Sequence, residues 1–212
     1  MAKDLLKELF EDRLLVEKIK RKLPYLFKLA ELSVSRGGKV GMEVGVLREQ
    51  IIIALLIHKF GYESVNTNIP TNQREVDVIL RGHKHPISIK TKTGKGYSGV
   101  KLIWTVDWKQ VEEFFANYLP KTDILFVNVV WDDVGVFAYI PLEVQMEVLS
   151  KLGKENYIKL PKKGSNPRGV EISSKALRMC IERSHKIPIE WKLETEPSYN
   201  PYRRWVELWE KG

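Results

Sequence analysis

Sulfur chemistry is almost missing from this chain of 212 residues, which has one cysteine, Cys180. A lone thiol excludes an internal disulfide and fits a reducing compartment. Set among Leu177, Met179 and Ile181, it reads as a buried structural thiol rather than a nucleophile. Zinc spacing is missing too. There is no CxxC and no HExxH, and the four histidines supply only the His83/His85 pair, in a polar turn where exposure to solvent is expected. The chain also lacks a Walker A loop, a GxGxxG and anything like a nucleophile elbow. Its longest apolar run, Ile51 to Ile57, is too short to span a bilayer. The start MAKDLLKELFEDR is too charged for a signal peptide. The expectation is a soluble, cytoplasmic protein with no membrane partner.

One absence is local. From Arg81 to Lys101 there is no acid, while Arg81, Lys84, Lys90, Lys92, Lys95 and Lys101 are all basic. Such a block repels itself unless an anion sits against it. The net charge of +8 and a pI near 9.4 ask for a polyanionic partner, nucleic acid above all. With 43% hydrophobic residues, 29% charged residues and six tryptophans, the chain reads as one well-packed domain over 1–212.

What is present centres on REVDVILRGHKHPISIKTKTGKGYSGVK, residues 74–101. Two β-like runs, Glu75–Leu80 and Pro86–Thr91, flank a polar turn. Strand alternation puts Glu75 and Asp77 on one face, and Ser88, Lys90 and Lys92 on one face of the second run. Val76, Val78, Ile87 and Ile89 then point into a core. Paired as a hairpin, the runs set carboxylates beside a lysine, a group able to bind a divalent metal and activate water. The plainer reading is a solvated basic hairpin with an ordinary Asp–Lys cross-strand pair. The Gly-rich TGKGYSG offers backbone N–H groups that can follow a phosphate chain.

Around this stretch, periodicity predicts an amphipathic helix from Asp4 to Leu23, ended by Pro24, and a second helix from Tyr25 to Ser33. Together they form a helical N-terminal extension, 1–35, suited to clamping the core, embracing DNA or dimerising. A basic Gly-rich loop with Lys39 leads to Met42, which reads either as a core residue or as a wedge between base pairs. Val46–Phe60 is the strongest helix. Its aliphatic stripe of Val46, Ile52, Ile53, Leu56 and Phe60 also carries Glu49. That carboxylate is either a first-turn acid favoured by the helix dipole or a metal ligand. Further on, a strand over Lys101–Val106 and a helix over Trp108–Leu119 are expected. Strands Asp123–Trp131 and Val134–Ile140 follow, with the acidic turn Asp132–Asp133 between them. Pro141 opens a helix over Leu142–Leu152. A second basic loop, Lys159–Arg168, precedes a helix over Ser173–Arg183 capped by Ser174. The aromatic tail is expected to pack back on the surface.

The order helix with Glu49, strand with Asp77, strand with Ser88-Ile89-Lys90 resembles the PD-(D/E)XK nuclease superfamily. That resemblance implies an α/β fold, a mixed central β-sheet flanked by helices. It makes Asp77 and Glu49 Mg2+ ligands together with the Ile89 carbonyl, and Glu49, Asp77 and Lys90 the catalytic set. Val76 stands where the motif has proline, and Ser88 where it has a second acid; Glu75, Glu49 or Glu43 can supply the missing charge. EVDVIL, HPISIKTKTG and NPRGVEIS further resemble type II restriction endonucleases of the ThaI kind. This implies a hydrolase that cuts duplex DNA at a short palindrome, CGCG, as a homodimer, with a companion DNA methyltransferase. On that reading Lys162, Lys163, Ser165, Asn166 and Arg168 read guanines, and Lys39, Lys92 and Lys95 touch phosphates. Two alternatives stay open: a structure-specific nuclease such as a Holliday-junction resolvase, and a catalytically silent DNA-binding module.

Overall fold

Residues 4–36, 39–41, 43–70, 73 and 75–211 are described in a computed structural model of the protein. The N-terminal part runs α1 (Leu5–Glu11), α2 (Arg13–Val34), β1 (Ser35–Arg36), β2 (Lys39–Val40) and α3 (Val44–Phe60). The middle holds β3 (Val65–Asn66), β4 (Ile79–Leu80), β5 (Ile87–Thr93), β6 (Lys101–Ile103), α4 (Trp108–Asn117), β7 (Asp123–Val129) and β8 (Val134–Ile140). The rest is α5 (Leu142–Leu152), α6 (Lys154–Tyr157), β9 (Ile158–Lys159), β10 (Val170–Ile172), α7 (Ser174–Glu182), β11 (His185–Glu190) and α8 (Arg203–Glu210).

The central sheet has the order β11-β8-β7-β5, with β5 parallel to β7 and the other pairs antiparallel. The mixed, helix-flanked sheet is the one expected. β7 is buried at every residue, as a central strand covered on both faces must be. Its alternate side chains feed two cores. On one face Leu125 and Val127 join Ile87 and Ile89 of β5, Leu6, Leu9 and Phe27 of α1 and α2, and Ile52 of α3. On the other, Phe126 and Ala138 meet Val111, Val148 and Leu177 of α4, α5 and α7.

Several boundaries differ from expectation, for physical reasons. The N-terminal break falls at Asp12, whose carboxylate caps α2 by accepting from Leu15 N at 3.1 Å. Pro24 lies inside α2, because the buried stripe Leu15, Ile19, Leu23, Phe27 runs straight through it. Residues 75–77 are not strand; only Ile79–Leu80 is, and it pairs with β3 rather than with β5. A single bridge, Val78 to Ile87, is all that remains of the expected hairpin. The cap of α7 is Ser173, not Ser174. β11 is an unexpected strand whose Pro188 fits the sheet because β11 lies at its edge. The aromatic tail packs back only at its start, where Pro197 is buried and Glu196 pairs with Lys28 of α2; α8 has no buried residue. Among the described residues no helix is long and apolar enough to cross a membrane.

Candidate active site

β5 ends the sheet, so its outer side is open except where residues 77–78 cross it. There the amides of Asp77 and Val78 both donate to the Ile87 carbonyl, at 2.9 and 3.2 Å, and Ile87 N returns a bond to Val78 O at 2.9 Å. The chain then leaves toward β3. The next outward-facing amide of β5, Ile89 N, donates to Asp77 Oδ2 at 2.5 Å. Ser88 Oγ donates to the same oxygen at 3.1 Å. Asp77 is thereby drawn against the strand edge by one oxygen. In extended backbone the N–H and C=O of one residue point the same way, so the Ile89 carbonyl turns to the same edge.

Glu49 and Lys90 reach this edge from α3 and β5. The Glu49 carboxyl is raised above its ordinary value, first by burial and then by the negative charge of Asp77, while Lys90 opposes the shift. The expected catalytic trio is therefore brought together. Glu49 is half-buried and sits beside the buried stripe of α3, which runs through Arg48, Ile52 and Leu56; Val46 faces out. Arg48 carries no motif, and sequence reasoning passes over it. It donates to Thr93 Oγ1 of β5 at 2.8 Å and to Glu31 of α2, and stacks over Phe27.

Glu75 also lies within electrostatic reach of Lys90. Burial raises its carboxyl, against the pull of Lys121 and Lys90. It opens into a cleft of about 740 Å3 shared with Lys121, Gln110 and Ile103. Lys121 has no signal in the sequence that marks it. Ser88 is buried and serves Asp77 as a donor, so it leaves the second acid of the motif unreplaced at its own position.

The basic stretch is not left to repel itself. Lys84 pairs with Glu143, Lys95 with Asp133 at 2.8 Å and Lys101 with Glu171 at 2.7 Å. Lys92 Nζ donates to the carbonyls of Thr93, Gly94 and Lys95, stapling its own loop. Lys39 is exposed on β2. Met42 lies outside the described residues. Lys162, Lys163, Ser165, Asn166 and Arg168 are all exposed, on the loop between β9 and β10. That loop is pinned to the β6–α4 connection and the start of α4: Gly169 N donates to Thr105 O at 2.8 Å, and Trp108 Nε1 to Ser165 O at 3.1 Å. Gly169 adopts φ +85°, and a Cβ there would meet Ile103 O at 2.2 Å, so only glycine closes this turn. Ile103 also lines the Glu75 cleft, which links the loop to the site.

The histidine pair is not in solvent. The His83 side chain is fully buried; its Nδ1 accepts from Leu5 N at 3.1 Å, which leaves Nε2 to donate to Asp123 Oδ2 at 2.8 Å. His85, Asp123 and Glu143 cluster at metal-ligand spacing, on the β7 side of β5.

A search of curated proteins finds no match. Among solved structures, a restriction endonuclease in complex with substrate DNA is 52% identical, with a TM-score of 0.89. The match covers 99% of this chain and 100% of that one. The family model for restriction endonuclease ThaI matches residues 9–211. Those likenesses make the protein a site-specific DNA endonuclease, and the chain belongs to the ThaI restriction endonuclease family.

Proposed function

We propose that this endonuclease hydrolyses phosphodiester bonds of duplex DNA with Mg2+, at a centre made of Asp77, Glu49, Lys90 and the Ile89 carbonyl. The observation that carries the reading is the Ile89 N to Asp77 Oδ2 bond, which fixes one carboxylate oxygen at an open strand edge beside a second carboxylate and a lysine. The donors are carboxylate and carbonyl oxygens, the hard set that suits Mg2+. Two adjacent carboxylates, one with a raised pKa, also favour a cation between them. Bound there, Mg2+ supplies Lewis-acid polarisation of the scissile phosphate and a lowered water pKa. Lys90 Nζ orients the attacking water and stabilises charge developing on the phosphate oxygens.

The β9–β10 loop reads guanine O6 and N7 through Lys162, Lys163, Ser165, Asn166 and Arg168. Lys39 and Lys95 meet phosphates, and Lys92 acts through the loop it staples. Met42 is the candidate wedge at a base step. A palindrome, CGCG, suits one nuclease domain per half-site in a two-fold dimer. A cytoplasmic enzyme of this kind needs a companion methyltransferase to protect host DNA.

The test compares plasmid cleavage in Mg2+ with gel-shift affinity in Ca2+ for wild type, Asp77→Asn and Lys90→Ala. Both variants are expected to bind, and Lys90→Ala to cut roughly 10²–10⁴-fold more slowly. Asp77→Asn is expected to leave no measurable cutting. An Asp77→Asn enzyme that cuts at the wild-type rate moves the centre elsewhere.

A further inference from the structure

Arg48 is a buried cation to which the centre proposed above gives no chemical part. It is 4% exposed and lies on the aliphatic stripe of α3. Burial lowers its pKa, and the charge of Glu31 pulls the other way. Its Nε finds no hydrogen-bond partner among the described residues. A buried ion pair of this kind adds little stability over a well-packed apolar replacement; its best-attested use is to fix register.

Both prongs of the guanidinium end on fixed points. Nη1 donates to Thr93 Oγ1 at 2.8 Å, at the last residue of β5. The next residue, Gly94, is held to β7: its N–H donates to Val129 O at 2.8 Å, and its carbonyl accepts from Asn128 Nδ2 at 2.9 Å. Nη2 donates to Glu31 of α2, whose Oε1 also accepts from Trp131 Nε1 at 2.9 Å. One side chain thus ties α3 to α2 and to β5 at once. The other contacts of α3 are less directional. Ile52 and Leu56 pack by area, and the N-cap residue Glu43 makes no side-chain capping bond. Neither fixes how far the helix is rolled about its own axis.

We propose that Arg48 is a positioning residue: its fork, held by Thr93 and Glu31, sets the roll of α3 and so the place where the Glu49 carboxylate meets Mg2+ beside Asp77. Glu49 follows Arg48, about 100° further round the helix. With a carboxyl roughly 6 Å from the helix axis, a roll of about 10° displaces it by about 1 Å. Mg2+ demands near-ideal octahedral geometry, so a displaced carboxylate is a poor ligand. A misplacement of that size costs on the order of 10²-fold in rate. This rests on the centre proposed above and adds the residue that aims one of its ligands.

The test uses the full chain as wild type, Thr93→Val, Thr93→Ser, Glu49→Gln and the double variant Arg48→Met, Glu31→Gln, which leaves Trp131 an acceptor. Each is melted across a Mg2+ titration, assayed for plasmid cleavage in Mg2+ and measured for DNA affinity by gel shift in Ca2+. Thr93 is exposed, so without metal both Thr93 variants should melt within a few degrees of wild type. Thr93→Val should need roughly 10-fold more Mg2+ for the same rise in Tm, whereas Thr93→Ser, which keeps the acceptor, should need the wild-type amount. Its half-maximal Mg2+ for cleavage should rise by the same factor. The double variant should cut about 10²-fold more slowly. Affinity in Ca2+ should hold throughout, because Ca2+ accepts a looser geometry. A Thr93→Val enzyme with the wild-type Mg2+ response defeats the positioning role, and so does a loss of rate that only follows a loss of Tm or of DNA affinity. If the double variant does not fold, the two Thr93 variants still decide. Glu49→Gln separates the two readings: if it keeps the wild-type Mg2+ response, the proposed centre itself is wrong.

Discussion

Two aspartates flank β5, and they are treated in opposite ways. Asp123, the first residue of β7, is fully buried and its oxygens are taken up. Oδ1 accepts from Leu142 N at 2.6 Å, and Oδ2 from His83 Nε2 at 2.8 Å and Tyr139 OH at 3.3 Å. His85 Nδ1 lies 3.4 Å from Oδ1, and Glu143 is held by Lys84. The geometry of a metal site is present there, but the donors have already answered the charge. Asp77, among the described residues, has one oxygen engaged, faces an open strand edge, and keeps company with a carboxyl whose pKa is driven up. A satisfied polar network fixes structure, whereas an unsatisfied one at an edge is available for chemistry.

The sharpest test of this contrast is a double dissociation. Asp123→Ala strips the acceptor from a buried His and a backbone amide. The loss should be roughly 3–5 kcal/mol, a Tm drop of about 6–20 °C in a chain of this size. Cleavage per folded molecule should persist. Asp77→Asn should do the reverse, abolishing cutting while Tm moves by no more than a few degrees. Calorimetry and plasmid cleavage on the same two preparations decide it, and equal Tm losses would erase the distinction.

Glu49→Gln is a smaller effect with a definite sign. Because burial and Asp77 raise the carboxyl in the folded state, ionising it near neutral pH works against folding. In metal-free buffer the Gln variant should melt above wild type at pH 7–8. The advantage should shrink as pH falls through the raised folded value toward the ordinary glutamate range, where both states are protonated. Mg2+ should reverse the order by stabilising wild type alone, and melting curves across pH with and without metal check this. Smallest is Lys95→Gln. Lys95 is exposed and, among the described residues, paired with Asp133 alone, so Tm should stay put. The slope of log affinity against log salt should flatten by about one unit if Lys95 meets a phosphate.

The sequence revealed the chemistry of β5 more readily than its pairing. Asp77 and Lys90 were legible because residue type and order carry them, and β7 and β8 because their apolar runs are long. The hairpin was not, since the second run pairs in parallel with a strand over thirty residues later and local alternation says nothing about that partner. His83 looked exposed because its partners, Leu5 and Asp123, are distant in sequence. Pro24 looked like a helix end because its intrinsic cost, about 3 kcal/mol, is visible locally. The burial of Leu23 and Phe27 on either side of it, which offsets that cost, is not.

Arg48 ties the last turns of α2 to the proposed centre. It precedes Glu49, and its guanidinium is held between Glu31 of α2 and Thr93 at the end of β5, with Trp131 Nε1 sharing the same Glu31 oxygen at 2.9 Å. Trimming the chain to its nuclease motifs would discard Glu31 and Phe27 and strand a cation in the interior, one residue from a proposed ligand. Its smallest working unit therefore includes α2.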